Sequence, residues 1–396
     1  MAKVSILQVG IGGYGDRYSG ELLRHNHEGN YVLAGAVDPA PERSRHLAEL
    51  ERLAVPIFHS MEEFYAQGTA DLAIIASPLQ FHSVQTIFAL EHGSNVLCEK
   101  PVSVTVEQAS AMRQARDKAG KFVGIGYQWS FSEAITALKR EIIAGKLGRP
   151  RRLKTMVSWP RSFAYFQRSN WAGRIRAQNG DLILDSVANN ATAHFLHNMF
   201  YVLGDRFDRS AVPVELEVEL YRAYQIENYD TAAFRAKTRE GVEILFLATH
   251  ASREECGPAF CFEFEQATVY YDAEQEKEIK AVFKDGRVKT YGDPFADYFQ
   301  KLWTCVAAVT DGRPLPCGIE AALPHTICIN GAQQAEINPF PAAWIAQDEQ
   351  RLYVPGLEVV LKDCYERFQL PSETGAGWVR PATKVNLQNY LSKLGW

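Results

Sequence analysis

One hexapeptide limits this chain more than any other stretch: Gly10-Ile11-Gly12-Gly13-Tyr14-Gly15. It fits G-x-G-x-x-G, follows the apolar run Val4–Val9 and opens a helical stretch around Tyr18–Arg24. Alone the pattern is weak. Between a strand and a helix it marks a tight turn whose backbone a pyrophosphate can approach, at a helix start whose free N–H groups attract negative charge. A second apolar run, Tyr31–Val37, ends at Asp38, about 20 residues beyond the loop, the usual spacing for a ribose-binding carboxylate. A carboxylate there accepts from the ribose hydroxyls and repels a 2′-phosphate. The spacing points to NAD, with NADP the less favoured choice because Arg43 stands close by. A glycine turn without a ligand is the plain alternative.

Further strand-like runs occur at Val55–Phe58, Leu72–Ala76, Asn95–Cys98 and Val123–Tyr127, with helical patterns near 42–53, 60–66, 81–92 and 105–119. Strands alternating with helices predict βαβ units and a parallel sheet. This gives an α/β Rossmann N-terminal domain over residues 1–125. From residue 126 to 396 the rhythm differs. An amphipathic helix, Glu133–Ala144, stops at Gly145 and Gly148, and strand-like runs follow at 151–159, 214–226, 231–237, 242–250, 260–271 and 278–291. They predict an α+β C-terminal domain with a large, mostly antiparallel open sheet, serving substrate binding and oligomerisation. Helices are expected near 294–311 and 318–334, whereas 338–396 carries mixed signals and no clear placement.

Composition removes several classes of function. With 42 basic and 47 acidic residues the formal charge is −5, so nucleic acid is not an expected partner, since phosphate contacts need a basic face. No apolar run reaches the ~18 residues of a membrane span. The N-terminus reads as a strand running into glycines, not as a signal peptide. Seven cysteines without a CxxC pair suit free thiols in a reducing cytosol, so the expected location is cytoplasmic.

Cys98-Glu99-Lys100-Pro101 closes the fifth strand-like run, and the carboxyl ends of such strands border the ligand crevice. Lys100 would present an ammonium near a nicotinamide; Pro101 fixes its own backbone and admits a cis peptide. From the residues alone, a solvated lysine before a proline is equally open. Together, GIGGYG, Asp38, Ser77-Pro78 followed by His82, and Glu99-Lys100-Pro101 resemble the Gfo/Idh/MocA oxidoreductase family in order and spacing. The resemblance runs on through Gly124–Gly148 and thins beyond it.

The resemblance implies NAD contacts at Gly10, Gly12, Gly13, Tyr14, Gly15, Asp38, Ser77, Pro78, His82, Glu99, Lys100 and Gln128. It also implies an acid/base histidine on a helix with the pattern D-x-x-x-H. Counting back from Leu203-Gly204 puts His194 on the histidine and Asn190 on the acidic position, one helical turn earlier. Lys100, His194 and Asn190 are therefore the expected catalytic set: alkoxide stabiliser, base, and a neutral amide holding a hydroxyl or the imidazole. Asp181 or Asp185 stands ready to replace the missing carboxylate. The chain departs from the family at Asn179-Gly180-Asp181, a degraded glycine-rich lead-in, and at Tyr127-Gln128-Trp129-Ser130, where an arginine and a later proline are usual.

Residues 159–174, WPRSFAYFQRSNWAGR, combine aromatic faces with Arg161, Arg168 and Arg174, which suits a polyol, sugar or sugar acid; an ordinary charged surface loop is the alternative. Candidate substrate contacts are Trp129, Arg161, Tyr165, Trp171, Arg174, Asp185 and His197. His194 and His197 form H-x-x-H without a third ligand, so no metal is expected, and His197 also reads as a structural group. His325, inside a helical stretch, is a further candidate for the cleft. The chain thus reads as an NAD-dependent dehydrogenase moving a hydride between a sugar, inositol or related polyol and nicotinamide. An NAD-dependent glycoside hydrolase working by transient oxidation and a catalytically silent NAD- and sugar-sensing regulator are the alternatives. Face-to-face pairing of the open sheet, implied by the resemblance, would make a homodimer or homotetramer.

Overall fold

The computed structural model describes residues 3–26 and 29–396, which divide into two compact units. The first consists of Met1–Phe131 with Tyr298–Ala322. Its strands are β1 (Val4–Val9), β2 (Tyr31–Val37), β3 (Ile57–Phe58), β4 (Leu72–Ile75), β5 (Asn95–Cys98) and β6 (Val123–Ile125). They form one sheet in the order β3-β2-β1-β4-β5-β6, every pairing parallel. The order reverses between β1 and β4, so the loops leaving these strands open the crevice where such sheets bind ligands. Helix Val106–Ala119 shows how local chemistry sets an element. Thr105 and Gln108 form a capping box at its start, and Gly120, at φ +62°, ends it.

The expected division placed everything after residue 125 in the second domain, but residues 298–322 return to the first unit. The reason is apolar burial. Helix Gln300–Asp311 adds Leu302, Cys305 and Val306 to a core built from Ile6, Tyr18, Leu22, Leu72, Ile74 and Leu97.

The second unit consists of Ser132–Asp297 with Leu323–Trp396. Its strands are β7 (Pro150–Ser158), β8 (Pro213–Arg222), β9 (Thr231–Thr238), β10 (Glu243–Thr249), β11 (Cys256–Phe264), β12 (Ala267–Asp272), β13 (Glu276–Phe283), β14 (Val288–Gly292) and β15 (Ile337–Pro339). The order is β14-β13-β12-β11-β7-β10-β9-β8-β15. Only β10–β7 and β15–β8 are parallel; the remaining pairings are antiparallel. The runs 260–271 and 278–291 are each two strands, reversing at Glu265-Gln266 and at Lys284–Arg287. Lys284-Asp285-Gly286 is a turn sequence that marks the second reversal, whereas Glu265-Gln266 carries no glycine or proline and does not mark the first.

The tail is integral to this unit. After a small hairpin of β16 (Ala346–Gln347) and β17 (Leu352–Tyr353), β18 (Thr383–Asn386) joins β15 on β8. Two short strands thereby cover an edge that would otherwise be exposed. Helix Leu357–Arg367 sets Leu357, Leu361 and Cys364 against Met156, Tyr221, Ala233, Leu245 and Leu247, and Phe368, Leu370 and Trp378 complete the layer. That face of β7–β10 is covered within the chain itself.

Candidate functional site

The glycine loop owes its shape to three constraints. Gly10 has φ +83°, and a Cβ there would stand 2.9 Å from Ser77 N; one on Gly15 would stand 2.1 Å from the Gly10 carbonyl oxygen. Gly13, at φ +60°, has nothing within 4 Å on that side. The Gln8 side chain braces the turn by donating to the Gly10 and Gly15 carbonyls at 3.1 and 2.9 Å, and Ser19 Oγ donates to Gln8 Oε1. Asp38 lies across the loop: Oδ2 accepts from Ile11 N (2.9 Å) and Gly12 N (3.3 Å), and Oδ1 from Ala40 N. Arg43 Cβ lies 3.6 Å from where a Cβ on Gly12 would be. A close turn without side chains, with a carboxylate at the end of β2, fits an adenosine diphosphate half.

At the end of β5, the Lys100–Pro101 peptide is cis. His82 sits between two loops, with Nδ1 2.8 Å from the Pro101 carbonyl oxygen and Nε2 3.0 Å from that of Ser77. Burial outweighs both carbonyls and holds its pKa below the ordinary histidine value. Ser77 Oγ donates to Gln85, and Pro78 begins the single turn Leu79–Phe81. Glu99 faces inward: Tyr18 donates to its Oε1 at 2.6 Å, Lys301 donates to the same oxygen, and the Lys100 N–H reaches Oε2 at 3.2 Å. Lys301 also lies 3.1 Å from Tyr14 Oη, which meets Tyr298 Oη at 2.9 Å. One buried ammonium thus joins the glycine loop to the Glu99-Lys100-Pro101 loop. Gln128 and Trp129 are buried in the turn Gln128–Phe131.

In the second unit, His194 stands in the first turn of helix Ala193–Val202. The expected helical turn from Asn190 to His194 does not form. Asn190 precedes the helix in a turn, its N–H bonded to the Ser186 carbonyl, and Thr192 is the cap residue. The Asn190 amide Nδ2 donates to Asp185 Oδ1 at 2.7 Å, and Asp185 Oδ2 accepts from Gly173 N at 2.6 Å. Asp185 is buried, whereas Asp181 lies in an exposed turn capped by Asn179. His197 is fully buried, stacks on Tyr201, and has its pKa driven well down by burial, with His325 and Lys139 adding to the effect. His325 Nε2 lies 3.0 Å from the Ala188 carbonyl oxygen.

The segment 159–174 folds around the short helix Phe163–Gln167, whose cap Ser162 accepts from Tyr165 N. Phe163 and Phe166 line a cavity of about 770 Å³ with Tyr224, Leu352 and the Arg174–Glu227 ion pair, which closes at 2.6 Å. Tyr165 instead meets His250, ring to ring at 5.6 Å, and carries the guanidiniums of Arg161 and Arg168 against its ring. Arg168 also covers Trp171. Gln8, Lys301 and His250 escaped the sequence reading. The available signal was polar residues inside apolar runs, a cue shared with many unremarkable positions. Among the described residues no group of three or more His, Cys, Asp or Glu side chains could hold a metal ion, and no helix is long and apolar enough to cross a membrane.

Sheet order, glycine turn and strand-end carboxylate define the first unit as a dinucleotide-binding Rossmann domain. Residues 4–127 match the model of the Gfo/Idh/MocA oxidoreductase family, NAD-binding Rossmann fold. Among curated relatives, a 1-carboxy-3-chloro-3,4-dihydroxycyclohexa-1,5-diene dehydrogenase of Comamonas testosteroni is 29% identical over 150 residues, 38% of each chain. An inositol 2-dehydrogenase of Rhodococcus erythropolis is 31% identical over 153 residues, covering 37% of this chain and 42% of that one. The chain therefore spans well under half the length of these relatives. Among solved structures, the WlbA dehydrogenase of Bordetella pertussis, in complex with NADH and UDP-GlcNAcA, superposes with a TM-score of 0.68 at 19% identity. It covers 84% of this chain and 97% of that one. The aldose-aldose oxidoreductase of Caulobacter crescentus, complexed with glycerol, gives 0.67 at 18% identity, with 84% and 97% covered. These likenesses establish the two-domain fold.

Proposed function

We propose that the protein is an NAD-dependent oxidoreductase that moves a hydride between a CH–OH group of a sugar, inositol or related polyol and the nicotinamide. The observation that carries this reading is the clamp made by His82, which ties the Ser77-Pro78 turn to the Glu99-Lys100-Pro101 loop at the carboxyl edge of the parallel sheet. The named activities of the relatives support it, since they include inositol and dihydroxycyclohexadiene dehydrogenases.

Gly10, Gly12, Gly13, Tyr14 and Gly15 would hold the pyrophosphate, Asp38 the adenosine ribose, and Ser77, Pro78, His82, Gln128 and the Glu99-Lys100 loop the nicotinamide half. Asp38 favours NAD, because a 2′-phosphate would meet its carboxylate. When bound, NAD supplies the hydride acceptor. Lys100 stabilises negative charge on the substrate oxygen, and His194 takes the hydroxyl proton, imidazole being the side chain that titrates near neutral pH. Asn190, anchored on Asp185, holds the hydroxyl or the imidazole in place. Trp129 and His197, both buried, would act through packing. The chain would work as a homo-oligomer in the cytoplasm. The sheet surface left for a second copy lies on β12–β14, where Tyr270, Val282 and Val288 are exposed.

The test is NADH absorbance with a panel of inositols, aldoses and sugar acids, repeated with Lys100→Ala. Turnover of one compound class, abolished in the variant while NAD affinity stays within a few-fold, is the expected result. Silence across the panel with NAD still bound would overturn the reading.

A further inference from the structure

Arg161 and Arg168 stand on the ring of one tyrosine, their guanidinium carbons 4.9 and 3.7 Å from the centroid of Tyr165. Arg161 also lies 5.6 Å from the Trp159 ring, and Arg168 lies 4.8 Å from that of Trp171. Among the described residues no carboxylate forms an ion pair with either arginine, whereas Arg174 of the same segment holds Glu227. Arg161 Nε is buried and makes no hydrogen bond. Two cations on one ring repel each other, and a buried guanidinium nitrogen without an acceptor is costly. The nearby acid, Asp185, already accepts from Gly173 and Asn190.

Arg168 Nη1 donates to the Tyr165 carbonyl oxygen, and His250 is a further neighbour. Its Nδ1 lies 2.8 Å from the Trp159 carbonyl oxygen, so that nitrogen carries the hydrogen. Burial, reinforced by Arg161, holds its pKa down at about 3. At neutral pH it adds no third positive charge, and Nε2 can accept from a hydroxyl. Trp159 in turn packs edge-on against Phe195, on the helix that carries His194.

We infer that Arg161 and Arg168 form an oxyanion subsite, so that the sugar or polyol carries a carboxylate or a phosphate group, with His250 accepting from a neighbouring hydroxyl. Arginine presents a planar fork of donors to either group, and its aromatic contacts keep the fork in one orientation. This rests on the proposed function, because it narrows the substrate of that same site. Carboxylate and phosphate share the recognising chemistry and differ only in source.

The experiment is calorimetric titration of the NAD-saturated protein with D-glucuronate, D-gluconate, glucose 6-phosphate and neutral D-glucose. It is repeated with Arg161→Gln, Arg168→Gln and Arg161→Lys, with NADH formation read in parallel. At least one charged probe should bind tighter than glucose by tenfold or more. Each glutamine variant should weaken that probe by on the order of 10- to 100-fold, as for loss of a hydrogen bond to a charged group. Glucose affinity should fall less than that of the charged probe, and Arg161→Lys should restore part of the loss. Arg168 is exposed, so its variant tests the subsite even if Arg161→Gln fails to fold. A preference for glucuronate or gluconate identifies a carboxylate, and one for glucose 6-phosphate a phosphate. Equal binding of glucose, no binding of any charged probe, or a preference that survives both glutamine variants overturns the subsite. Arginine-dependent binding without NADH keeps the subsite and removes the dehydrogenase; NADH from neutral polyols without arginine dependence does the reverse.

Discussion

Lys301 donates to Glu99 across 202 positions of sequence, and the ammonium is wholly buried. Burial pushes the Glu99 pKa up, but the Lys301 charge and the hydrogen bonds from Lys301 and Tyr18 outweigh it, and the carboxyl ends below its ordinary value. With a depressed folded pKa, the stabilisation is present above the unfolded value and is lost as pH falls through the folded one. Lys301→Met leaves an uncompensated buried carboxylate, and the expected loss in urea unfolding at pH 7 is about 3–5 kcal/mol. The double variant Lys301→Met/Glu99→Gln should recover much of it. A single-variant loss under ~1 kcal/mol, the scale of a surface ion pair, would refute the role assigned to this pair.

Asn190→Asp installs the acidic residue that the resemblance implies at this position, yet here it should harm. The Asn190 amide donates to Asp185 Oδ1 at 2.7 Å, and two carboxylates at that distance cannot both ionise. One would titrate above the normal carboxylate range, making the variant less stable than the parent at pH 7 and closer to it at pH 5. Unfolding curves at the two pH values check this; a variant at least as stable as the parent at pH 7 would count against the amide's role.

Within the glycine loop the positions are not equivalent. Gly15→Ala drives a Cβ into the Gly10 carbonyl, which rigid backbone cannot relieve, whereas Gly13→Ala meets no protein atom. Gly13→Ala should cost only about 1–2 kcal/mol for a left-handed residue. Gly15→Ala should cost more and weaken NAD binding at least tenfold. Thermal unfolding and NAD titration separate the two, and equal effects would show that the clash is absorbed.

Three buried histidines predict acid lability. Burial lowers the pKa values of His82, His197 and His250, the last to about 3. The folded state therefore stays neutral where the unfolded chain takes up protons, below about pH 6.5. Stability is full above that value and falls beneath it, by up to ~1.4 kcal/mol per pH unit for each group. The urea midpoint should drop between pH 7 and pH 5, less steeply in His250→Gln. A flat profile would disprove this account.

Much of the first unit was legible because its signals are local. A glycine turn, a strand-end aspartate and a buried-strand composition each act within a few residues. The strand rhythm of the second unit announced a sheet but hid one reversal, since the hairpin at Glu265-Gln266 carries no glycine or proline. At the candidate site, Lys100 and His194 are expectations carried by the resemblance, and the environment of Asn190 was not legible at all. Its partner, Asp185, lies on a turn whose path depends on Gly173 and on the loop around it.

The sequence by itself determined the parallel Rossmann half and its glycine turn. Each needs only a residue type, a period and a neighbour in the chain. Tertiary structure alone decided that helix Gln300–Asp311 belongs to the first unit, that Lys301 neutralises Glu99, and that helix Leu357–Arg367 covers the face of β7–β10. It also decided that Arg161 and Arg168 meet on Tyr165, with no ion-paired carboxylate among the described residues. These are pairings between distant segments, selected by which apolar faces must be buried and which charges must be matched, and no local pattern encodes them.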